Sequence, residues 1–165
     1  MPPPLNAAAG FGVSYRPFTD DDLPFVAELY ASTRREEVAA TGWPAEMQEA
    51  FLAQQAAAQH SHYAIHFADA EWLIIERDGR PIGRLYLDTL PSDHHHVIDI
   101  SLVPDSRGLG IGGAILRDAL EQAGDAGKGV SIHVEKNNPA RSLYERLGFE
   151  LVEDLGIYDL MRAEA

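Results

Sequence analysis

The stretch Ile98–Gly113, IDISLVPDSRGLGIGG, constrains the fold most. An apolar strand pattern stops at Pro104, reopens as a glycine-rich turn and continues into Ala114-Ile115-Leu116-Arg117-Asp118-Ala119-Leu120 at helical spacing. Glycine at 108, 110, 112 and 113 lets backbone N–H groups crowd towards one point with no Cβ in the way. A helix N-terminus adds unpaired N–H groups and the positive end of the helix dipole. The turn is therefore suited to an anion, and the rest of the chain must bring a strand and a helix together there.

Composition bounds the remainder. With 165 residues, 45% hydrophobic and 24% charged, the chain has room for one domain with one core. No apolar run approaches the roughly 18 residues of a membrane span. The opening Met1-Pro2-Pro3-Pro4 lacks the basic and apolar regions of a signal peptide, so a cytoplasmic location is expected. The absence of cysteine excludes disulfides, thiolate metal sites and a cysteine nucleophile. A formal charge of −13, from 26 acidic against 13 basic residues, disfavours nucleic acid and anionic membrane surfaces and mildly favours a cationic partner.

Residues 1–12, rich in Pro, Ala and Gly, read as a disordered lead-in to a domain spanning 13–165. A strand is expected over Val13–Phe18. Thr19-Asp20-Asp21-Asp22 then caps a helix running to about Arg34. Arg35 to Gly42 reads as a connection, and Pro44 opens a second helix towards His60. Strands at Trp72–Ile75 and Pro81–Leu87 flank the hairpin dipeptide Asp78-Gly79. A polar connection, Pro91 to His96, leads to a strand over Val97–Val103. After the glycine turn come a helix to about Ala126, a strand over Val130–Val134, a helix from Asn137-Asn138-Pro139 closed by Gly148, and short strands at Phe149–Val152 and Ile157–Met161. The fold class is α+β, one mixed, mostly antiparallel sheet flanked by helices, in the order β-α-α-β-β-β-α-β-α-β-β.

Three anion sites compete for the glycine turn. A Walker-type phosphate loop requires Gly-Lys-Ser/Thr, which is absent. Gly108-Leu109-Gly110-Ile111-Gly112-Gly113 satisfies the dinucleotide pattern, but Pro104-Asp105-Ser106-Arg107 intervenes and too little chain remains for a doubly wound sheet. The third is a pyrophosphate cradle. Arg107-Gly108-Leu109-Gly110-Ile111-Gly112 resembles the signature Gln/Arg-x-x-Gly-x-Gly/Ala of the GCN5-related N-acetyltransferase (GNAT) family, and Ala140-Arg141-Ser142-Leu143-Tyr144, ending in Gly148-Phe149, resembles its second. That family spacing selects Asn138 when counted from Val134 and Asn137 when counted back from Ala140, so the cofactor asparagine stays open between them.

The resemblance implies an enzyme that moves an acetyl group from acetyl-CoA to a primary amine of a small-molecule or peptide acceptor by direct transfer, without a metal. The main chain of Leu102 and Val103 would hold the pantetheine arm, N–H groups from Arg107 to Gly113 (Arg107, Gly108, Leu109, Gly110, Ile111, Gly112 and Gly113) the pyrophosphate, and an N–H near Leu102 the developing oxyanion. Tyr144 would give the departing thiolate a proton or orient the sulfur. For the general base, Asp99 lies in an apolar strand on the same face as Ser101, and His133 lies mid-strand beside the cleft; Glu71 is a third candidate. His94-His95-His96 does not converge on one ion, because consecutive strand residues alternate faces, and reads as a hydrophilic loop near the acceptor entrance. A non-catalytic acyl-CoA-binding or sensing domain is the rival reading, and the C-terminal edge strands are of the kind that pair homodimers in the resembled family.

Overall fold

The computed structural model describes residues 1–165. In chain order it contains β1 (Val13–Pro17), α1 (Leu23–Ala39), α2 (Ala45–His66), β2 (Glu71–Arg77), β3 (Arg80–Asp88), β4 (His94–Leu102), α3 (Ile111–Asp125), β5 (Gly129–Glu135), α4 (Arg141–Arg146), β6 (Glu150–Asp154) and β7 (Tyr158–Ala163). The strands form one sheet in the order β1-β2-β3-β4-β5-β7-β6. Only β4 and β5 run parallel. A parallel pair needs a crossover, and α3 supplies it.

Strand alternation gives the sheet two faces. On one, Leu73, Ile75, Leu85, Leu87, Val97, Val130 and Ile132 pack with Ile111, Ala114, Ile115 and Leu116 of α3 in the main core. On the other lie α1 and α2, joined by a small cluster of Ala31, Val38 and Leu52. Helix α1 continues past Arg34 to Ala39, so most of the expected connection 35–42 is helical. Arg35 explains part of this, because it reaches both Glu28 on α1 and Glu49 on α2. His94–His96 are the first residues of β4, not a loop, since His94 pairs with Gly129 and His96 with Ser131.

Two features have no local sequence signal. Pairing of β3 with β4 runs from Gly83↔Leu102 to Tyr86↔Asp99, then resumes at Leu87↔Val97. Ile98 is therefore an extra residue, a β-bulge. It keeps Val97 on the core face with Ile100 and Leu102, while Asp99 and Ser101 face the α1–α2 side. The second is the N-terminus. Ala7–Phe11 form a single 3-10 turn, and the Asp118 carboxylate of α3 accepts the backbone N–H groups of Asn6, Ala7 and Ala8 at 3.2, 2.7 and 2.9 Å. Within the expected lead-in 1–12, residues 7–11 form this turn, and the carboxylate that holds it lies more than a hundred residues away in the chain.

Candidate functional site

Strands β4 and β5 pair from His94↔Gly129 to Val97↔Ile132 and then part, although β4 runs on to Leu102 and β5 to Glu135. The bulge at Ile98 begins the divergence. Main-chain groups on the facing edges are then free of each other. The Val103 N–H donates to the Ile82 carbonyl at 2.8 Å and the Val103 carbonyl accepts from Ser106 at 3.0 Å, so both are engaged within the protein. Alternation turns the Leu102 main chain the other way, into the cleft, where its carbonyl accepts Arg107 Nε at 2.9 Å.

After the short turn Pro104–Ser106, Gly108 and Gly110 take φ of 73° and 91°, and α3 begins at Ile111. No side chain caps this helix, and its first turn carries no acidic residue. The first backbone bond to close is Ala114 N–H to Gly110 O, 3.1 Å, which leaves the N–H groups of Ile111, Gly112 and Gly113 without intrahelical partners. Leu109 stands exposed at the tip of the turn. A Cβ on Gly113 would meet Leu143 Cδ1 at 3.3 Å, so this glycine lets α4 approach the first turn of α3.

That approach places Tyr144. The side chain is buried, with its ring 6.0 Å from that of Phe149. Burial first, and the charge of Asp99 second, raise its phenol to about 12. Of the two asparagines before α4, Asn138 uses its side-chain carbonyl to accept the Ala140 N–H at 2.8 Å, while Asn137 is exposed. Helix α1 bridges both lips of the cleft: Ser32 receives Arg107 at 3.0 Å, and Arg34 grips Glu135 with both terminal nitrogens.

The three base candidates occupy different surroundings. Asp99 accepts from Tyr63 Oη at 2.8 Å, Arg84 at 2.9 Å and Ser101 Oγ at 2.6 Å. Arg84 also donates to Gln59 at 2.6 Å, and its guanidinium lies 5.0 Å from the Tyr86 ring centroid. Asp99 is thus the anion of a buried network that joins α2 to β3 and β4. His133 is exposed on the opposite face from α3, just past the last β4–β5 pair. It lines a groove of about 380 Å³ with His94, His96, Ser131, Leu160 and Arg162. The His96 ring meets it edge-on at 4.9 Å and accepts or donates to Ser131 Oγ at 2.8 Å. Burial, reinforced by the charges of His133 and His94, pushes His96 down to about 4. Glu71 pairs with the N-terminal ammonium beside a hollow between Pro2, Phe18 and Trp72, away from the splay. No three His, Asp or Glu side chains are grouped so as to hold a metal ion.

Residues 25–149 match the family described as Acetyltransferase (GNAT) family. The chain belongs to that family. It is 36% identical over 85 residues to a mycothiol acetyltransferase of Thermomonospora curvata, covering 50% of this chain and 29% of that protein. It is 29% identical over 104 residues to an N-alpha-acetyltransferase of Sulfurisphaera tokodaii, covering 54% and 62%. It thus spans less than two thirds of either relative. Among solved structures, the PaiA N-acetyltransferase of Thermoplasma acidophilum in complex with coenzyme A superposes with a TM-score of 0.68 at 18% identity, over 93% of this chain and 99% of that one. An acetyltransferase from Thermus thermophilus gives 0.61 at 18%, over 93% and 97%. These superpositions show the GNAT fold.

Within this GNAT chain, sequence reasoning missed Arg84, Gln59 and Tyr63, and read His96 as part of a loop rather than of β4. Arg84, in an apolar strand, offered the available signal: a charge inside a sheet needs a countercharge, and antiparallel register sets it beside the strand that carries Asp99.

Proposed function

We propose that this chain is an acetyl-CoA-dependent N-acetyltransferase acting by direct transfer to a primary amine. The observation that carries the reading is the uncapped N-terminus of α3 at the mouth of the β4–β5 splay, with Tyr144 held behind it by the close packing of Leu143 on Gly113. The protein fits the cofactor at three levels. Free N–H groups at Ile111, Gly112 and Gly113 suit a diphosphate. The cleft edge of β4 at Leu102 suits an extended amide-bearing arm added like a strand. Arg107 lies at the junction, within reach of either, and Asn137 has the freer side chain of the two asparagines.

The thioester supplies an acyl group already activated towards amines. The Leu102 N–H faces the cleft as a donor for charge developing on an acyl oxygen. Tyr144, held near 12, lies well above the roughly 8.5 of an alkyl thiol, so it keeps its proton and stabilises a departing thiolate by hydrogen bonding. Asp99 already accepts three hydrogen bonds within the protein, from Tyr63, Arg84 and Ser101, so its oxygens are taken up by the buried network rather than presented to an amine. His133 presents an accessible ring to the groove and is the better group to take the amine proton.

Measuring acceptor-dependent thiol release from acetyl-CoA across a panel of primary amines tests the reading. Turnover with at least one amine, lost about 100-fold or more in His133→Gln, is expected. Coenzyme A binding with no turnover for any acceptor would instead make the chain a sensing domain.

A further inference from the structure

We propose that residues 6–11 are a positioning brace for the glycine turn: docked on α3 through Asp118, they hold Phe11 against Gly110 and so raise the affinity of the turn for a diphosphate. The inference rests on the coenzyme A reading above.

The docking is extensive for so short a segment. Asp118 has no exposed surface, and neither does Ala8. Besides the three backbone N–H groups on Asp118, Asn6 Nδ2 donates to Glu121 at 3.0 Å, and just ahead of the segment Gln122 Nε2 donates to the carbonyl of Met1 at 2.9 Å. All three acceptor or donor side chains come from α3, the helix whose N-terminus forms the turn. The segment ends at Phe11, whose ring packs against the main core. A Cβ on Gly110 would lie 3.4 Å from Phe11 Cζ and 3.9 Å from Cε1, so the ring rests directly over the residue where the chain changes from positive φ to helix.

Such a contact matters at this position. Glycine has the most conformational freedom to lose, and a turn carrying glycine at 108, 110, 112 and 113 must be ordered before its N–H groups converge on one ligand. Restricting it in advance lowers the ordering cost on binding. If Phe11 were only core filling, its truncation would lower stability and leave ligand selectivity unchanged.

The test is calorimetric titration of the full-length protein with coenzyme A and with pantetheine, which lacks the diphosphate, for wild type, Phe11→Ala and Phe11→Leu. Phe11→Ala should weaken coenzyme A about 5- to 20-fold, the scale of ordering one further residue, and leave pantetheine within twofold, with Phe11→Leu recovering most of the loss. In steady state the KM for acetyl-CoA should rise while kcat and the acceptor KM hold. Hydrogen exchange of the 108–113 amides in the ligand-free protein should quicken in Phe11→Ala, a readout that needs no ligand. Equal weakening of both ligands, or a coenzyme A affinity within twofold of wild type, overturns the brace. A wild type that fails to bind coenzyme A overturns the functional reading itself, and the brace with it.

Discussion

Breaking the Arg84–Asp99 pair from one side should cost at least as much as removing it altogether. The two side chains are 3% and 11% exposed and 2.9 Å apart. Arg84→Met leaves the Asp99 carboxylate with only Tyr63 and Ser101 as donors and no countercharge. Asp99→Asn leaves a buried guanidinium whose Nε already lacks a partner and whose remaining acceptor is Gln59. Stranding one charge of a buried pair costs about 3–5 kcal/mol. If each single change costs about 3.5 kcal/mol, the double variant, with neither charge left stranded, should lose no more than either single, a coupling of about 3.5 kcal/mol or more. Urea denaturation at pH 7, with a common slope across the four proteins, measures the cycle. A double variant equal to the sum of the singles within about 0.5 kcal/mol would refute the argument that the pair is an electrostatic unit. The same proteins separate structure from catalysis: turnover per folded molecule should fall by less than about tenfold in all three. A loss of about 100-fold or more confined to the two variants carrying Asp99→Asn would make Asp99 the base.

Tyr144→Phe removes a hydrogen bond to a charged leaving group, on the order of 1.5–3 kcal/mol, so kcat should fall roughly 10- to 150-fold with the acetyl-CoA KM unchanged. Because the phenol is held near 12, wild-type kcat should show no loss from tyrosine ionisation between pH 8 and 10. His96 governs an acidic effect. Its folded value near 4 lies below the roughly 6.5 of the unfolded chain, so the unfolded state binds more protons in that window and stability falls as pH drops through it. Between pH 7 and 4.5 this amounts to about 2 kcal/mol, and His96→Gln should remove that part of the wild-type acid sensitivity in denaturation curves taken at both pH values.

How much could be read in advance follows from the range of each signal. The strand, glycine turn and helix from Ile98 onward, the Asp78-Gly79 hairpin and the helix closed by Gly148 all rest on chemistry within a few residues, and the element order follows from them. Arg35 lengthens α1 through partners on two helices, beyond the reach of a local capping rule. The Asp118 clamp on residues 6–8 and the Asp99 network need contacts far apart in sequence. His94–His96 read as loop because three histidines suggest polarity, yet His95 is buried and His96 lines a groove. Strict alternation along β4 would put Val97 and Asp99 on one face; their separation depends on Ile98, which no composition rule marks.

That single residue has an evolutionary reading. The opening between β4 and β5 depends on how many residues lie between Val97 and Asp99, and only secondarily on which residue it is. Substitutions at 98 that suit a half-buried strand should be tolerated, whereas a one-residue deletion would turn Asp99 towards α3, strand Arg84 and let the two strands continue pairing. The cleft is in this sense recorded as a length, and chains that diverge widely in side chains can keep it so long as they keep the count.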